Sequence, residues 1–238
     1  DLCQIYTDVE GVFTADPRIV PQARKLKALS YEELLEMASS GALVVQTRAA
    51  ELAMQNRVRL EVRSSFVDRE GTVVTDHSME RRKVVTGVTH DTNVAKISTT
   101  GVGDRPGAAH ILFKAIADRH VNVDLIIQSV PRKERADISF TVAKPDMAAA
   151  LDAVRSVAPE LGIRDIFSDD QVAVVSIIGA GMIANPGVAA RMFGALAGAG
   201  INIQMIATSE IKVSCVIPLA AVATAVRELH KEFELDRE

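Results

Sequence analysis

One pattern in this 238-residue chain occurs twice, and its residue types suit the capture of a small zwitterion. Ser98-Thr-Thr-Gly101-Val-Gly103-Asp-Arg-Pro106-Gly107 leads to Phe113, Asn122-Val123 and Ser129. Ser176-Ile-Ile-Gly179-Ala-Gly181 leads to Pro186-Gly187, Phe193, Asn202-Ile203 and Ser209. From Pro106 and Pro186 to Ser129 and Ser209 the copies align without a gap. In each, a β-rich run ends in a glycine-containing turn, and Pro-Gly opens an amphipathic helix. The first amides of a helix have no partner within it, so they offer donors and the positive dipole end to an anion such as a carboxylate. A duplicated unit of this length is expected to form two copies of one small domain.

The elements that must position these residues follow from periodicity and punctuation. The first repeat reads strand 94–100, helix 106–120, strand 121–129, strand 137–143, helix 145–157 and strand 163–168. That βαββαβ order is the ferredoxin-like split-βαβ arrangement, two helices on one face of a four-stranded antiparallel sheet. Pro106 and Pro145 fall where a first helical turn needs no N–H. The second repeat reads strand 172–179, helix 186–200, strand 201–208, strand 211–217 and helix 219–234, and it lacks a fourth strand. Val84-Val-Thr-Gly-Val88 is a short β-branched run without a partner, and it is expected to supply that strand, making the first repeat an insertion within the second. Residues 1–66 alternate strand and helix: Leu2-Cys-Gln-Ile-Tyr6 is strand-like, and Ser30-Tyr-Glu-Glu33 is a capping box for a helix that stops at Gly41. A helix over 46–56 and a strand over 58–62 follow. The fold class is therefore α/β (α+β), with an α/β remnant at 1–66, a charged linker at 67–83 and a tandem region at 84–238. Within that region the first domain spans about 89–170, and the second 84–88 plus 171–238.

Composition bounds the function. With 48% apolar residues the chain buries a substantial core, and a net charge of −4 gives no basic footprint for nucleic acid or an acidic membrane. The split-βαβ sheet also serves RNA-recognition domains, but those need stacking aromatics and a basic face, and only 4% of residues here are aromatic. Cys3 and Cys215 lie in different segments and read as buried small hydrophobes in a reducing, cytoplasmic setting. The five His share no ligand spacing, so no metal site is expected. The chain begins at Asp1 with a strand expected to be buried, without initiator Met or signal-peptide pattern, which reads as a piece of a longer protein.

Across almost its whole length the chain resembles the aspartate kinase family, which phosphorylates the side-chain carboxylate of aspartate with ATP. Tyr6-Thr-Asp-Val-Glu-Gly-Val-Phe-Thr-Ala-Asp-Pro-Arg18-Ile-Val is similar to the family's nucleotide-binding strand and loop, and Val62-Arg-Ser-Ser-Phe66 to the close of its kinase domain. The repeats resemble its tandem ACT domains, and their order resembles the monofunctional branch regulated by lysine or threonine. The resemblance implies ATP contacts from Thr7, Asp8, Phe13, Thr14, Ala15, Asp16, Pro17 and Arg18, with Mg in the full-length enzyme. Arg18 would neutralise phosphate charge. It also implies one effector pocket from Asp104, Arg105, Pro106, Gly107, Ala108, Ala109, Asn122, Val123, Asp124 and Gln128. There Asp124 or Asp104 would answer the ammonium of the amino acid. The matching places in the second repeat are Val188, Ala189, Asn202, Ile203, Ser209 and Glu210, with Glu210 answering the ammonium. Two positions depart from the family: Leu43 follows Gly41-Ala42 where Lys is common, and Ala189 stands where Thr is frequent. The family's KFGGTS motif is not in the chain, so the chain alone is expected to be inactive, sensing amino acids and associating through its ACT units. A separate non-catalytic subunit begun near Met79-Glu80 is the alternative.

Overall fold

A computed structural model describes residues 2–42, 44–76 and 83–237. Leu43, Met79 and Glu80, singled out above, lie outside the described residues. The chain forms two compact units, residues 1–91 with 174–238 and residues 92–173, so the second unit is inserted within the first.

In the first unit, β1 (Leu2–Thr7), β2 (Ala28–Ser30), β3 (Arg59–Ser64) and β4 (Thr72–Thr75) form a sheet in the order β1-β3-β4-β2. β1 runs parallel to β3, from Leu2 opposite Arg59 to Thr7 opposite Ser64. β1 lies at one edge of the sheet, and its Leu2, Cys3 and Tyr6 are exposed, contrary to the buried strand expected there. Two helices follow their sequence signals, α1 (Tyr31–Ser39) and α2 (Thr47–Gln55). Ser30 Oγ accepts from Glu33 N at 3.1 Å while Glu33 Oε2 accepts from Ser30 N at 3.1 Å, which completes the capping box. Tyr31, Leu34 and Met37 then point one face of α1 into a core with Leu26, Leu29, Leu60, Val62, Val74 and Ile178.

The linker expected at 67–83 contains β4. Its Thr72 is wholly buried, with Oγ1 accepting from Val12 N at 2.9 Å and donating to Leu26 O at 2.7 Å. Four β-branched or polar residues amid charges gave no local signal, because pairing to β3 and β2 is what makes them a strand.

The second half of this unit is built from the end of β8 (Asp165–Ile178), then α5 (Val188–Gly198), β9 (Met205–Thr208), β10 (Lys212–Pro218) and α6 (Val222–Glu232). β10 lies between β8 and β9, and Ser176 and Ser214 hydroxyls meet at 2.7 Å across β8 and β10. Thr86 N donates to Ile178 O at 2.7 Å, so the 84–88 run lies beside the end of β8, although regular strand starts only at Gly87. A Cβ on Gly179 would stand 2.5 Å from Val84 O and 2.8 Å from Thr86 N, so that approach requires glycine.

The second unit holds most of β5 (Gly87–Gly103), α3 (Ala108–Ala117), β6 (Ile126–Gln128), β7 (Arg135–Ala143), α4 (Met147–Leu161) and the start of β8. Its strand order is β6-β7-β5-β8, the expected βαββαβ sheet. Ser98 and Ser139 hydroxyls meet at 2.8 Å across β5 and β7, repeating the serine pair of the other copy. Ile97, Leu112, Ile116, Phe140 and Val154 are fully buried in one core, and Phe113 meets Phe140 edge to face. The strands expected separately at 163–168 and 172–179 are one uninterrupted strand, β8. The strands after α3 and α5 are shorter than expected, since regular pairing begins only at Ile126 and Met205.

Candidate nucleotide loop and amino-acid sites

The loop after β1 is fixed from several sides. Thr7 Oγ1 donates to Asp8 Oδ1 at 3.0 Å, and the two residues sit half-exposed and exposed at the strand end. Phe13 bridges Lys25 across the loop's two limbs. Thr14 and Ala15 are buried, so their side chains shape the loop from within rather than line its surface. Beyond them Arg18 holds Asp16 with Nη2 at 2.8 Å and Nε at 3.0 Å, and its amide adds a third bond at 2.9 Å. That hydrogen-bonded guanidinium keeps the Asp16 carboxyl below the usual carboxylate range despite partial burial. Arg18 is 89% exposed, an available cation with a resident counter-charge.

In the first repeat, Gly107 caps α3 at φ 92°, a left-handed conformation that favours glycine, and Gly187 repeats it at φ 92° before α5. The turn amides expected to be free for a ligand are already used. Gly101 N donates to Asp137 Oδ1, Asp104 N to Glu134 O, and Arg105 N to Gly103 O. Gly179 N donates to Ile211 O, and Ala180 N to Glu33 Oε1 at 3.0 Å. The first turn of each helix precedes the Ile111-to-Gly107 and Arg191-to-Gly187 bonds that begin the ladders, although Ala108 N is already given to Arg105 O at 3.1 Å.

The two halves of each expected pocket stand apart within one chain. Asp104, Arg105, Pro106 and Gly107 are exposed at one end of β7, where Gly103 pairs with Arg135. Asp124 N donates to Thr141 O, and Asn122 Nδ2 reaches Asp124 Oδ1 at 3.4 Å, placing both near the other end, roughly 20 Å along the strand. Val123 is half-buried beside them, Gln128 is level with Ile138 nearer the helix start, and Ala108 is buried beside exposed Ala109. The reason is topological: α3 runs back along the sheet, so the residues after it lie a helix length from its N-terminus. The second repeat repeats the split. Asn202 and Ile203 precede Gln204, whose amide bonds Val216 O, while Ser209 N bonds Lys212 O at the opposite end of the hairpin. Val188 is buried and Ala189 half-buried at the start of α5.

Ser209 and Glu210 instead line a groove of about 720 Å³ with Leu35, Glu36, Met54 and Ile183. Lys212 Nζ pairs with Glu36 Oε2 there at 2.6 Å. Sequence reasoning also missed two buried junctions. Glu33 Oε1 accepts from Thr86 Oγ1 at 2.6 Å as well as from Ala180 N, and Thr14 Oγ1 meets His230 Nε2 at 3.0 Å. The capping box was the only local hint of the first, and nothing in the sequence points to the second. Buried Cys215 has its thiol pushed up to about 12, which makes it inert. Among the described residues no His, Cys, Asp and Glu group is placed to hold a metal, and no helix is long and apolar enough to cross a membrane.

The amino acid kinase family matches residues 1–64, and ACT domain families match residues 97–159 and 175–233. The aspartokinase of Pseudomonas aeruginosa is 47% identical over 240 residues, covering 99% of this chain and 58% of that protein. The chain thus spans a little over half the length of the curated relatives it matches. The crystal structure of the regulatory subunit of aspartate kinase from Thermus thermophilus is 42% identical with a TM-score of 0.61, covering 63% of this chain and 99% of that one. E. coli aspartokinase III in complex with aspartate and ADP is 25% identical with a TM-score of 0.82, covering 97% of this chain and 52% of that one.

Proposed function

Because this chain belongs to the aspartokinase family, we propose that it is the C-terminal, amino-acid-sensing part of an enzyme that converts ATP and L-aspartate to 4-phospho-L-aspartate. The carrying observation is the duplicated Gly107 and Gly187 cap, which presents two equivalent helix N-termini in a chain whose other end matches an amino acid kinase. In this reading each helix start takes the α-carboxylate of lysine or threonine. The ammonium is answered by Asp124 in the first repeat and by Glu210 in the second. Since Asp124 and the α3 start lie apart within one chain, the pocket is completed by a second ACT unit. Thr7 and Asp8 lie against the adenosine. Arg18 exchanges Asp16 for phosphate, a charge-assisted contact of similar strength. The protein is cytoplasmic, with Mg accompanying the nucleotide.

The Thermus match across 99% of a regulatory-subunit chain favours a second reading, in which the ACT region works as a separate regulatory subunit. One assay tests both. The 238-residue chain alone should show no aspartate-dependent ATP turnover, because it holds no counterpart of the family's phosphate-handling motif. The same chain joined to the N-terminal part of the P. aeruginosa relative should turn over and be inhibited by lysine or threonine. Turnover by the chain alone, or a joined enzyme indifferent to both amino acids, would reject the proposal.

A further inference from the structure

We propose that α6 of the second repeat is the positioning element for the nucleotide loop, acting through His230 and Arg227; this rests on assigning the loop around Asp16 to nucleotide binding. The two residues stand one helical turn apart and so share a face of α6. Each grips one side of the loop. Thr14 is fully buried; its hydroxyl oxygen accepts from Arg24 N at 2.9 Å and shares a hydrogen bond with His230 Nε2 at 3.0 Å. Thr14 is also tied through its main chain, donating to Arg24 O and accepting from Val88 N.

On the other side, Arg227 Nε donates to Ile19 O at 3.1 Å. Ile19 and Val20 amides close the turn onto Asp16 O, so this carbonyl ends the segment that carries Asp16, Pro17 and Arg18. α6 does not need either contact to stay folded: Val222, Ala225, Val226 and Leu229 bury its inner face. A buried imidazole is a costlier filler than leucine unless its polar ring atoms are satisfied, and the Thr14 hydroxyl supplies such a partner. Its placement is explained by what it holds. Any ligand that shifts α6 relative to the rest of the second repeat thereby shifts the segment carrying Arg18.

The test combines hydrogen exchange with ATP–Mg binding by calorimetry on the 238-residue chain. His230→Leu and Arg227→Gln should each speed exchange in residues 11–20 about tenfold while 222–232 stays protected, and should weaken ATP about fivefold. His230→Gln, whose side-chain amide can either accept from or donate to the Thr14 hydroxyl, should restore most of both. Arg227 is exposed, so its variant keeps the test valid if the histidine variant unfolds. If Arg18→Ala weakens ATP but His230→Leu and Arg227→Gln do not, the nucleotide assignment stands and the inference falls. If Arg18→Ala has no effect, or the chain binds no ATP, the assignment itself fails and takes the inference with it.

Discussion

Burial holds two histidines neutral, and this sets how the chain responds to acid. At His230 burial lowers the pKa from the ordinary 6.5, with Asp236 opposing and Lys83 assisting; at His90 burial lowers it, with Asp16 opposing. When the folded pKa lies below the unfolded one, the unfolded chain binds more protons between the two values. Stability is then complete above 6.5 and is lost as pH falls toward the folded value. Melting temperature should therefore drop by a few degrees between neutral pH and about pH 5. Asp16 cannot account for that drop, because Arg18 holds its carboxyl below 3.8 and its contribution fails only in stronger acid. His230→Gln should flatten part of the decline in a thermal melt series; an unchanged slope would remove His230 from the account. A second residue-scale prediction concerns Asp124. Asp124→Ala should weaken the amino acid at the first site about tenfold or more by calorimetry, since the ammonium loses its charged partner, while the melting temperature without ligand stays within a degree or two. Equal affinity would show that the pocket is drawn wrongly. Much of this scale was hidden in the sequence: Thr14 and His230 are 216 residues apart and meet only through the fold.

The elements show why some positions were legible and others were not. The α1 capping box is a contact between residues three apart, so Ser30 and Glu33 announced it directly. The βαββαβ order was legible because each strand and helix keeps its own period. β4 was not, since Thr72-Val-Val-Thr75 becomes a strand only against Leu60, Glu61 and Val62. The glycines after β8 were readable as a turn, but their purpose was not. Gly179 is small because the 84–86 segment passes against it, and its amide is spent on Ile211 O. Gly179→Ala should accordingly destabilise the chain by about 1–3 kcal/mol, the usual range for overpacking, whereas Gly187→Asn, where a Cβ meets nothing within 4 Å, should lose less and only through the strain of a side chain at φ 92°, which asparagine bears better than most residues. Urea titration of the two variants checks the order; equal losses would mean that the 84–86 contact is unimportant.

At the scale of the whole molecule, the two repeats are proposed as amino-acid sites that one chain leaves open. Because each helix runs back along the sheet, the turn at its start and the residues after its end lie at opposite ends of the sheet. That consequence could have been foreseen from the element order, but not from the motif spacing alone. In the proposed assembly a second ACT unit would close the gap and would also cover exposed apolar residues such as Ile126 and Ile206, which free strand edges leave as association hazards. A ligand confined to the joined state stabilises it by about 2.7 kcal/mol at a hundredfold excess over its Kd. The measurement that bears most directly on the central claim is calorimetric titration of the 238-residue chain with lysine and with threonine, repeated at two protein concentrations. The account predicts saturable binding of at least one of them, tighter at the higher protein concentration. Absence of heat from both amino acids at millimolar concentrations would contradict it.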